Sequence, residues 1–249
     1  MLGGWPSNPE LLDWLAAELV ASDWSLKAMH RRIMLSSTYQ LSSASLAESA
    51  AIDPDNRYHW RADIRRLEAE IIRDAMLAAS GTLDKRMGGS LLHVENRAFL
   101  FDHTSKDTTS YDSFLRSLYL PVIRNNLYDG FSLFDYTAAD VPNGDRETST
   151  VATQALFVMN SELVLGAAEA LADRVRSEHP EDDQAAVQAL YQRALSRDPS
   201  AQESRRLLEF IPALAQQLQQ SEGADDPGRA AWVAACQAIL ATNEFIYVK

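Results

Sequence analysis

The chain has 249 residues, of which 46% are hydrophobic, with only 10 glycines and 9 prolines. This composition is typical of a globular protein with a substantial core, in one large domain or two small ones. The formal net charge of −12 disfavours a general nucleic-acid binder or an anionic-membrane binder, because each requires a basic face, and it leaves a local basic pocket open. We therefore expect no nucleic-acid partner.

Cysteine content and apolar runs exclude further classes of protein. Cys236 is the single cysteine, so no disulfide can form within the chain, and no C-x-x-C-H motif for haem attachment is present. No apolar run reaches the length of a membrane span. The first residues, MLGGWPSNPELLDWLA, lack the charged and apolar regions of a signal peptide, so we expect no export signal in this chain.

The first 35 residues have helical periodicity. Asn8 is a typical N-cap before Pro9, and Ser25 is a typical N-cap for a second helix. We therefore predict a helical hairpin. On the second helix His30 falls on the apolar face, which favours a core histidine over a metal ligand.

The next segment, LSSASLAESAAIDPDN, is rich in serine and ends in turn-forming residues, which indicates a surface connection. From Arg61 to Ser80 apolar residues recur at helical spacing, and Gly81 follows. We predict a third helix over this range, ended by the glycine.

Helical periodicity is lost between Gly88 and Thr148. Residues 97–101 (RAFLF) and 114–125 (FLRSLYLPVIRN) favour short strands, although Pro121 restricts the second to an edge strand or an extended segment. We predict at most a small β element between Arg97 and Asn125. A long irregular segment within a domain is often functional.

The last hundred residues are helical again, with one helix from Ser161 to Ser177. SAQE at 200–203 predicts a capping box between Ser200 and Glu203. Cys236 shares a helical face with apolar neighbours, which predicts a buried side chain. The fold class is mainly α, a helical domain with a helical part (1–80), an irregular part with short extended segments (81–150) and a C-terminal helical part (151–249).

The stretch ETSTVATQALFVMNSELV joins the irregular part to the C-terminal helices. We predict a short buried helix with Thr150 or Thr153 as its N-cap, ended by Asn160. Gln154 is expected to cross-link this helix to the segment from Phe114 to Asn125, as a structural bracket rather than a ligand contact.

Motifs for catalysis and metal binding are absent. None of the five histidines has metal-ligand spacing, and a hydrogen-bonded turn explains His103 beside Asp102 and Asp107 better than a metal site does. No G-x-S-x-G elbow or phosphate-binding loop is present. We expect neither a metal nor another cofactor in this chain.

One set of polar residues surrounds apolar sequence in the irregular part. A structural ion-pair network is the favoured interpretation, and a ligand-binding pocket stays open as the alternative. The candidate residues are Arg116, Arg124, Asn125, Asp135, Arg146, Thr153, Gln154 and Asn160.

Several blocks carry a family resemblance. The stretch NPELLDWLAAELVASDWSLKAMHRRIMLSSTYQLSS, together with MGG, RSLYLPVIRN, LFDY, TQALFVMNSELV and LYQRALSRDPSAQE, resembles the planctomycete-type family of domain of unknown function 1553. The blocks span nearly the whole chain. The usual Val-Pro-Thr-Gln of the family is Val151-Ala152-Thr153-Gln154 here, and the usual Leu-Gly-Arg is Leu195-Ser196-Arg197.

The resemblance implies a single family domain over 1–249, N-terminally incomplete, from a larger exported protein of the periplasm or cell surface. It implies upstream domains or other exported proteins as partners, and a haem-binding module upstream of this chain. We expect a non-catalytic helical interaction module. The alternative is an enzyme, with polysaccharide as its substrate class and its site within 88–150.

Overall fold

The computed structural model of the chain describes residues 5–89, 91–92, 94–95, 98, 107, 109–137, 146–221 and 225–248. These residues are mainly α-helical, which confirms the predicted fold class. The chain divides into two compact units. The smaller unit is Met1–Arg65 with Val248–Lys249, and the larger unit is Arg66–Tyr247.

The smaller unit contains α1 (Pro9–Ala21), α2 (Leu26–Met34) and α3 (Ala47–Ile52). Both predicted caps are confirmed, because Asn8 accepts a hydrogen bond from Leu11 N–H and Ser25 accepts one from Ala28 N–H. Helix α3 lies where we predicted only a surface connection. Its alanines have the highest helix propensity of any residue, which outweighs the serines beside them.

A short two-stranded sheet pairs β1 (Arg65–Arg66) with β2 (Tyr247–Val248). The helix predicted from Arg61 therefore begins only at α4 (Ala69–Ser80), and the sheet lies outside the range where we predicted a β element. Leu67 N–H donates to the carbonyl of Ile246 across 2.8 Å, a pairing with the distant C-terminus that helical periodicity does not reveal. Gly81 ends α4 as predicted, in the left-handed conformation with φ of 83°.

The core of the larger unit includes residues of α4 and five later helices, which are α7 (Glu162–Glu178), α8 (Asp183–Leu195), α9 (Ala201–Gln220), α10 (Pro227–Leu240) and α11 (Asn243–Ile246). Helix α7 packs against α4, α8 and α10. Its Leu171 is fully buried, as are Leu190 and Leu240. Burial of each such side chain contributes about 1.5–3 kcal/mol to stability.

Two predicted features of the larger unit are confirmed. Cys236 is buried, and burial raises the pKa of its thiol to about 12. Ser200 and Glu203 form the predicted capping box at the start of α9, with the Ser200 N–H donating to the Glu203 carboxylate across 2.7 Å. Each donor satisfied in this way is one that the helix start would otherwise leave without a partner.

The middle of the chain contributes a 3₁₀ helix (Ser117–Tyr119), α5 (Asp129–Leu133) and α6 (Ala152–Asn160). The strand predicted over 114–125 is wrong, because Leu115 makes a single bridge to Asp84 before the 3₁₀ helix begins. The Arg73 side chain donates to the carbonyl groups of Ser113 and Leu115, while the Phe114 carbonyl between them accepts a hydrogen bond from Asp84 N–H across 2.8 Å. The strand predicted over 97–101 lies, apart from residue 98, outside the described residues.

Within the described residues, no helix taken singly is both long enough and apolar enough to cross a membrane. Helices α6 and α7 meet that length and composition only as a pair, across a bend of 46°.

Candidate functional site

Two of the predicted polar residues, Asp135 and Gln154, meet at Ser149. Ser149 donates both its N–H and its hydroxyl to the Asp135 carboxylate, each across 2.8 Å. Arg66, which the sequence did not single out, donates to the same carboxylate across 2.6 Å, and its side chain is 4% exposed. This network joins three segments that are remote in the sequence.

The electrostatics of Asp135 indicate a structural role. Burial alone would raise the pKa of this carboxyl, but hydrogen bonds from Arg66 and Ser149 outweigh burial and lower it. Asp135 therefore stays ionised at neutral pH as an ion-pair partner, which does not suit a general acid. Asp135, Arg66 and Ser149 thus form an ion-paired, hydrogen-bonded network, and the arginine in it is not one of the predicted candidates.

Gln154 is buried, but its partners are not those that we predicted. Its Nε2 donates to the carbonyl of Leu133 across 2.9 Å and to that of Ser149 across 3.3 Å. The predicted cross-link to the segment from Phe114 to Asn125 is therefore wrong, because the bracket joins α6 to the end of α5. The last carbonyls of a helix lack partners within it, so Leu133 is a natural acceptor.

Helix α6 also differs from the buried helix that we predicted. Gln154 and Val158 are its buried residues, while Leu156 is 56% exposed and Met159 is 60% exposed. Its N-cap is Val151, and neither threonine fills that position. The Gln154 side chain accepts a hydrogen bond from Val151 N–H across 3.3 Å, which satisfies a donor at the helix start.

Arg146 pairs with the start of α4. It donates to both carboxylate oxygens of Glu70, at 2.7 and 2.9 Å, and to Glu68 at 3.2 Å. Its guanidinium lies 4.9 Å from the centre of the Tyr136 ring. The hydrogen bonds to Glu70 raise the pKa of Arg146.

The other candidate residues have separate surroundings. Arg116 donates to the Tyr119 hydroxyl across 3.2 Å, and Asn160 donates to the carbonyl of Leu156. Arg124 and Thr153 are exposed, and Asn125 is half-buried. The structure thus brings Asp135 and Gln154 together and gives the remaining candidates other environments.

Arg73 is a buried anchor that the sequence analysis missed. It is 3% exposed and donates to the carbonyl of Leu115 across 2.8 Å, to the Ser117 hydroxyl across 3.2 Å and to the carbonyl of Ser113. Burial lowers the pKa of Arg73, although Tyr128 and Asp74 oppose that shift. The sequence signal was the charged pair Arg73-Asp74 within an apolar helix.

The smaller unit contains a cleft that the sequence analysis also missed, which we call the α1–α2 cleft. Its volume is about 690 Å³, within the range of about 300–1,000 Å³ that is typical of binding sites. The lining is mostly apolar and aromatic. It includes Leu11, Trp14, Leu15, Ile33, Tyr39, Leu41 and Val248, with Ser36, Thr38, His59, Arg61, Ala62, Asp63, Arg32 and Arg65.

Local turns position the walls of this cleft. The reversal between α1 and α2 places Asp23 and Trp24 in the left-handed conformation, with φ of 54° and 57°. A second turn is closed by the Asp53 carboxylate, which accepts hydrogen bonds from the N–H groups of Arg57 and Tyr58 across 3.0 and 2.9 Å. This turn chemistry was visible in the Asp-Pro-Asp-Asn sequence.

His30 does not fill the core of this hairpin. It is exposed, so its interpretation as a core histidine is wrong. Of the hydrophobic side chains that the structure describes in the smaller unit, only Met29 is buried. Helix α1 buries none of its residues, so the apolar faces that predicted the hairpin stay largely open to solvent.

The cleft is locally basic within an acidic chain. Three arginines line it against one aspartate, Asp63. Arg32 forms an ion pair with Glu18 at 2.5 Å, and Arg61 approaches Asp63 only to 3.7 Å. Arg65 is exposed, and its guanidinium makes no hydrogen bond or ion pair with the residues that the structure describes.

In the described ranges, no group of three or more His, Cys, Asp or Glu side chains could hold a metal ion. The turn predicted around His103 lies outside those ranges, except for Asp107, whose carboxylate accepts a hydrogen bond from Thr109 N–H.

These elements define a mainly α-helical protein with a packed core in its larger unit and an apolar, arginine-bearing cleft in its smaller unit. The chain belongs to the family described as "Protein of unknown function (DUF1553)", whose model matches residues 1–211. The resemblance seen in the sequence is thereby confirmed. Neither a curated protein nor a solved structure matches the chain.

Proposed function

We propose that this chain is a non-catalytic helical interaction module, and that the α1–α2 cleft docks a segment of another domain or protein. One observation carries the proposal, which is that the smaller unit leaves its apolar helix faces exposed. Trp14 is 50% exposed, Leu12 is 54% exposed and Trp24 is 67% exposed. Exposed apolar surface of this extent is typical of a site where another protein binds.

The stability of the hairpin leads to the same proposal. Isolated helices shorter than about 12–15 residues are marginal in water, and most helices gain stability by packing an apolar face. Helix α1 has 13 residues and buries none of them. A partner that covers this face would stabilise α1 while it removes apolar side chains from water.

The family resemblance supplies the setting of the proposal. We infer that the module works within a larger exported protein, at the periplasm or cell surface. Its partners are then upstream domains of that protein or other exported proteins, with polysaccharide as a second class of ligand. A haem group would belong to an upstream module and not to this chain.

A peptide-display selection tests the docking proposal. The purified 249-residue chain is the target, and a double variant with Leu11→Ser and Trp14→Ser is the cleft-deficient comparison. A second double variant with Leu118→Ser and Met159→Ser is the matched control, because those side chains are 77% and 60% exposed but lie in the larger unit. Circular dichroism verifies that all three proteins are folded.

We expect peptides that bind the wild-type chain and the control variant with similar affinity, and that bind the cleft variant at least about tenfold more weakly. Selected peptides that bind the cleft variant as tightly as the wild type would contradict the proposal. A selection that enriches no binding peptide would contradict it as well.

A further inference from the structure

The charge of the α1–α2 cleft narrows the chemistry of its occupant. We propose that the occupant is an amphipathic helix of a partner protein, with apolar side chains against Trp14 and Ile33 and a carboxylate on Arg65. This inference rests on the proposed docking function and adds the class of partner to it.

Arg65 supplies the reason for a carboxylate. Its side chain lines the cleft without a partner among the described residues. A helix that covered this guanidinium without pairing it would remove a charge from water uncompensated, which is costly. A carboxylate instead forms two parallel hydrogen bonds with an arginine, and such bonds are stronger than neutral ones.

A second arginine of the cleft, Arg61, adds to the preference for an acidic occupant. Arg61 approaches Asp63 only to 3.7 Å, and the Asp63 side chain is 61% exposed. Arg61 is therefore only weakly neutralised. With one aspartate against three arginines in the lining, the cleft attracts an acidic segment and repels a basic one.

The extent of the apolar surface favours a helix over a small molecule. Leu12, Trp24 and Met34 do not line the cleft, yet they are 54%, 67% and 54% exposed. A small molecule within the cleft would leave these side chains in water. An amphipathic helix that lies along α1 and α2 would cover the cleft and its apolar margins together.

Three synthetic peptides of about 15 residues, a length at which an amphipathic helix becomes marginally stable, test the inference. All three carry leucine and tryptophan at positions i, i+3, i+4 and i+7. The flanking residues are glutamate in the first peptide, glutamine in the second and lysine in the third. Binding to the 249-residue chain is measured by isothermal titration calorimetry. Arg65→Glu, Arg65→Gln and the exposed control Arg205→Glu on α9 are measured in parallel.

We expect the glutamate peptide to bind about tenfold more tightly than the lysine peptide, and added salt to narrow that difference. Arg65→Glu should make the lysine peptide the tighter binder. Arg65→Gln should reduce the difference in affinity between the two peptides, and Arg205→Glu should leave that difference unchanged. Equal affinity of the three peptides for the wild type would overturn the acidic partner while leaving docking intact. Absence of binding by all three would overturn the partner class, whereas the display selection decides the docking proposal independently.

Discussion

The buried guanidinium of Arg73 donates a hydrogen bond of 2.8 Å to the carbonyl oxygen of Leu115, which lies 42 residues further along the chain. The same side chain also contacts Ser117, whose N–H donates to the neighbouring Asp74 carboxylate across 2.8 Å. One charged pair on α4 thereby fixes the backbone of an irregular segment.

Arg73→Ala should destabilise the chain by about 1–3 kcal/mol, because it leaves the carbonyl groups of Leu115 and Ser113 without their donor. Urea denaturation measures this loss in the free energy of unfolding. Arg205→Ala, an exposed arginine on α9, is the control and should change the value by less than about 0.5 kcal/mol. Similar values for the two variants would show that Arg73 is not an anchor.

The cap of α9 gives a second stability prediction. Ser200→Ala removes the hydroxyl that accepts a hydrogen bond from Glu203 N–H across 3.3 Å. This substitution should lower the free energy of unfolding by about 0.5–2 kcal/mol. Thr153→Ala is the matched deletion of a hydroxyl that caps no helix, and it should have little effect. A midpoint of denaturation that moves for Thr153→Ala and not for Ser200→Ala would reverse this assignment.

Ser196 occupies a position that favours glycine. It follows α8 in the left-handed conformation with φ of 55°, where a side chain costs about 1–2 kcal/mol. The family resemblance places glycine at this point. Ser196→Gly should therefore raise the free energy of unfolding by about 0.5–1 kcal/mol, after the greater freedom of unfolded glycine is subtracted.

The control for this prediction is Ser177→Gly. Ser177 is an exposed residue within α7, so glycine there should lower stability by about 0.5–1 kcal/mol. Thermal unfolding of both variants shows whether each substitution raises or lowers the stability of the chain. Equal losses of stability would show that the backbone at Ser196 is not strained.

Acid should weaken the contact between α9 and its neighbours. Hydrogen bonds from the Arg197 guanidinium and Ser200 N–H lower the pKa of Glu203 from 4.5 to about 2. The folded state therefore favours the ionised carboxylate. Its contribution to stability is complete above about pH 4.5 and is lost as the pH falls from there to about 2.

Glu203→Gln should remove this part of the acid sensitivity. We expect the difference in unfolding free energy between about pH 7 and about pH 3 to be smaller in Glu203→Gln than in the wild type. Glu209→Gln, an exposed change on the same helix, is the control and should leave the wild-type difference unchanged. An identical pH dependence in all three proteins would refute the linkage.

Local sequence chemistry predicted the features that depend on near neighbours. The caps at Asn8, Ser25 and Ser200 each use a donor three residues away, and Gly81 ends α4 through its own backbone freedom. Such contacts are encoded within a single turn of helix. They were therefore visible without knowledge of the fold.

Contacts between remote segments could not be predicted in the same way. Gln154 was expected to be a buried bracket, but nothing in its sequence indicated that Leu133 would be its acceptor. Arg66 reaches Asp135 across 69 residues, and Leu67 pairs with Ile246 near the opposite end of the chain. These partners follow from tertiary packing, which overrides local preference.

The α1–α2 cleft was missed for a related reason. Helical periodicity at Leu11, Leu15 and Leu19 predicts an apolar face, and it does not reveal whether that face meets a core or solvent. In the structure Leu11 is 47% exposed. The apolar pattern that predicted the helical hairpin is also the basis of the proposed docking surface.

Hydrogen exchange with and without the glutamate-flanked peptide tests docking at this surface most directly. The account predicts slower exchange of backbone amides in α1 and α2 when the peptide is bound, with unchanged exchange in α7 and α10 of the larger core. The Leu11→Ser and Trp14→Ser double variant should lose that protection. Protection confined to the larger unit, or unchanged exchange in α1 and α2 at saturating peptide, would contradict the claim.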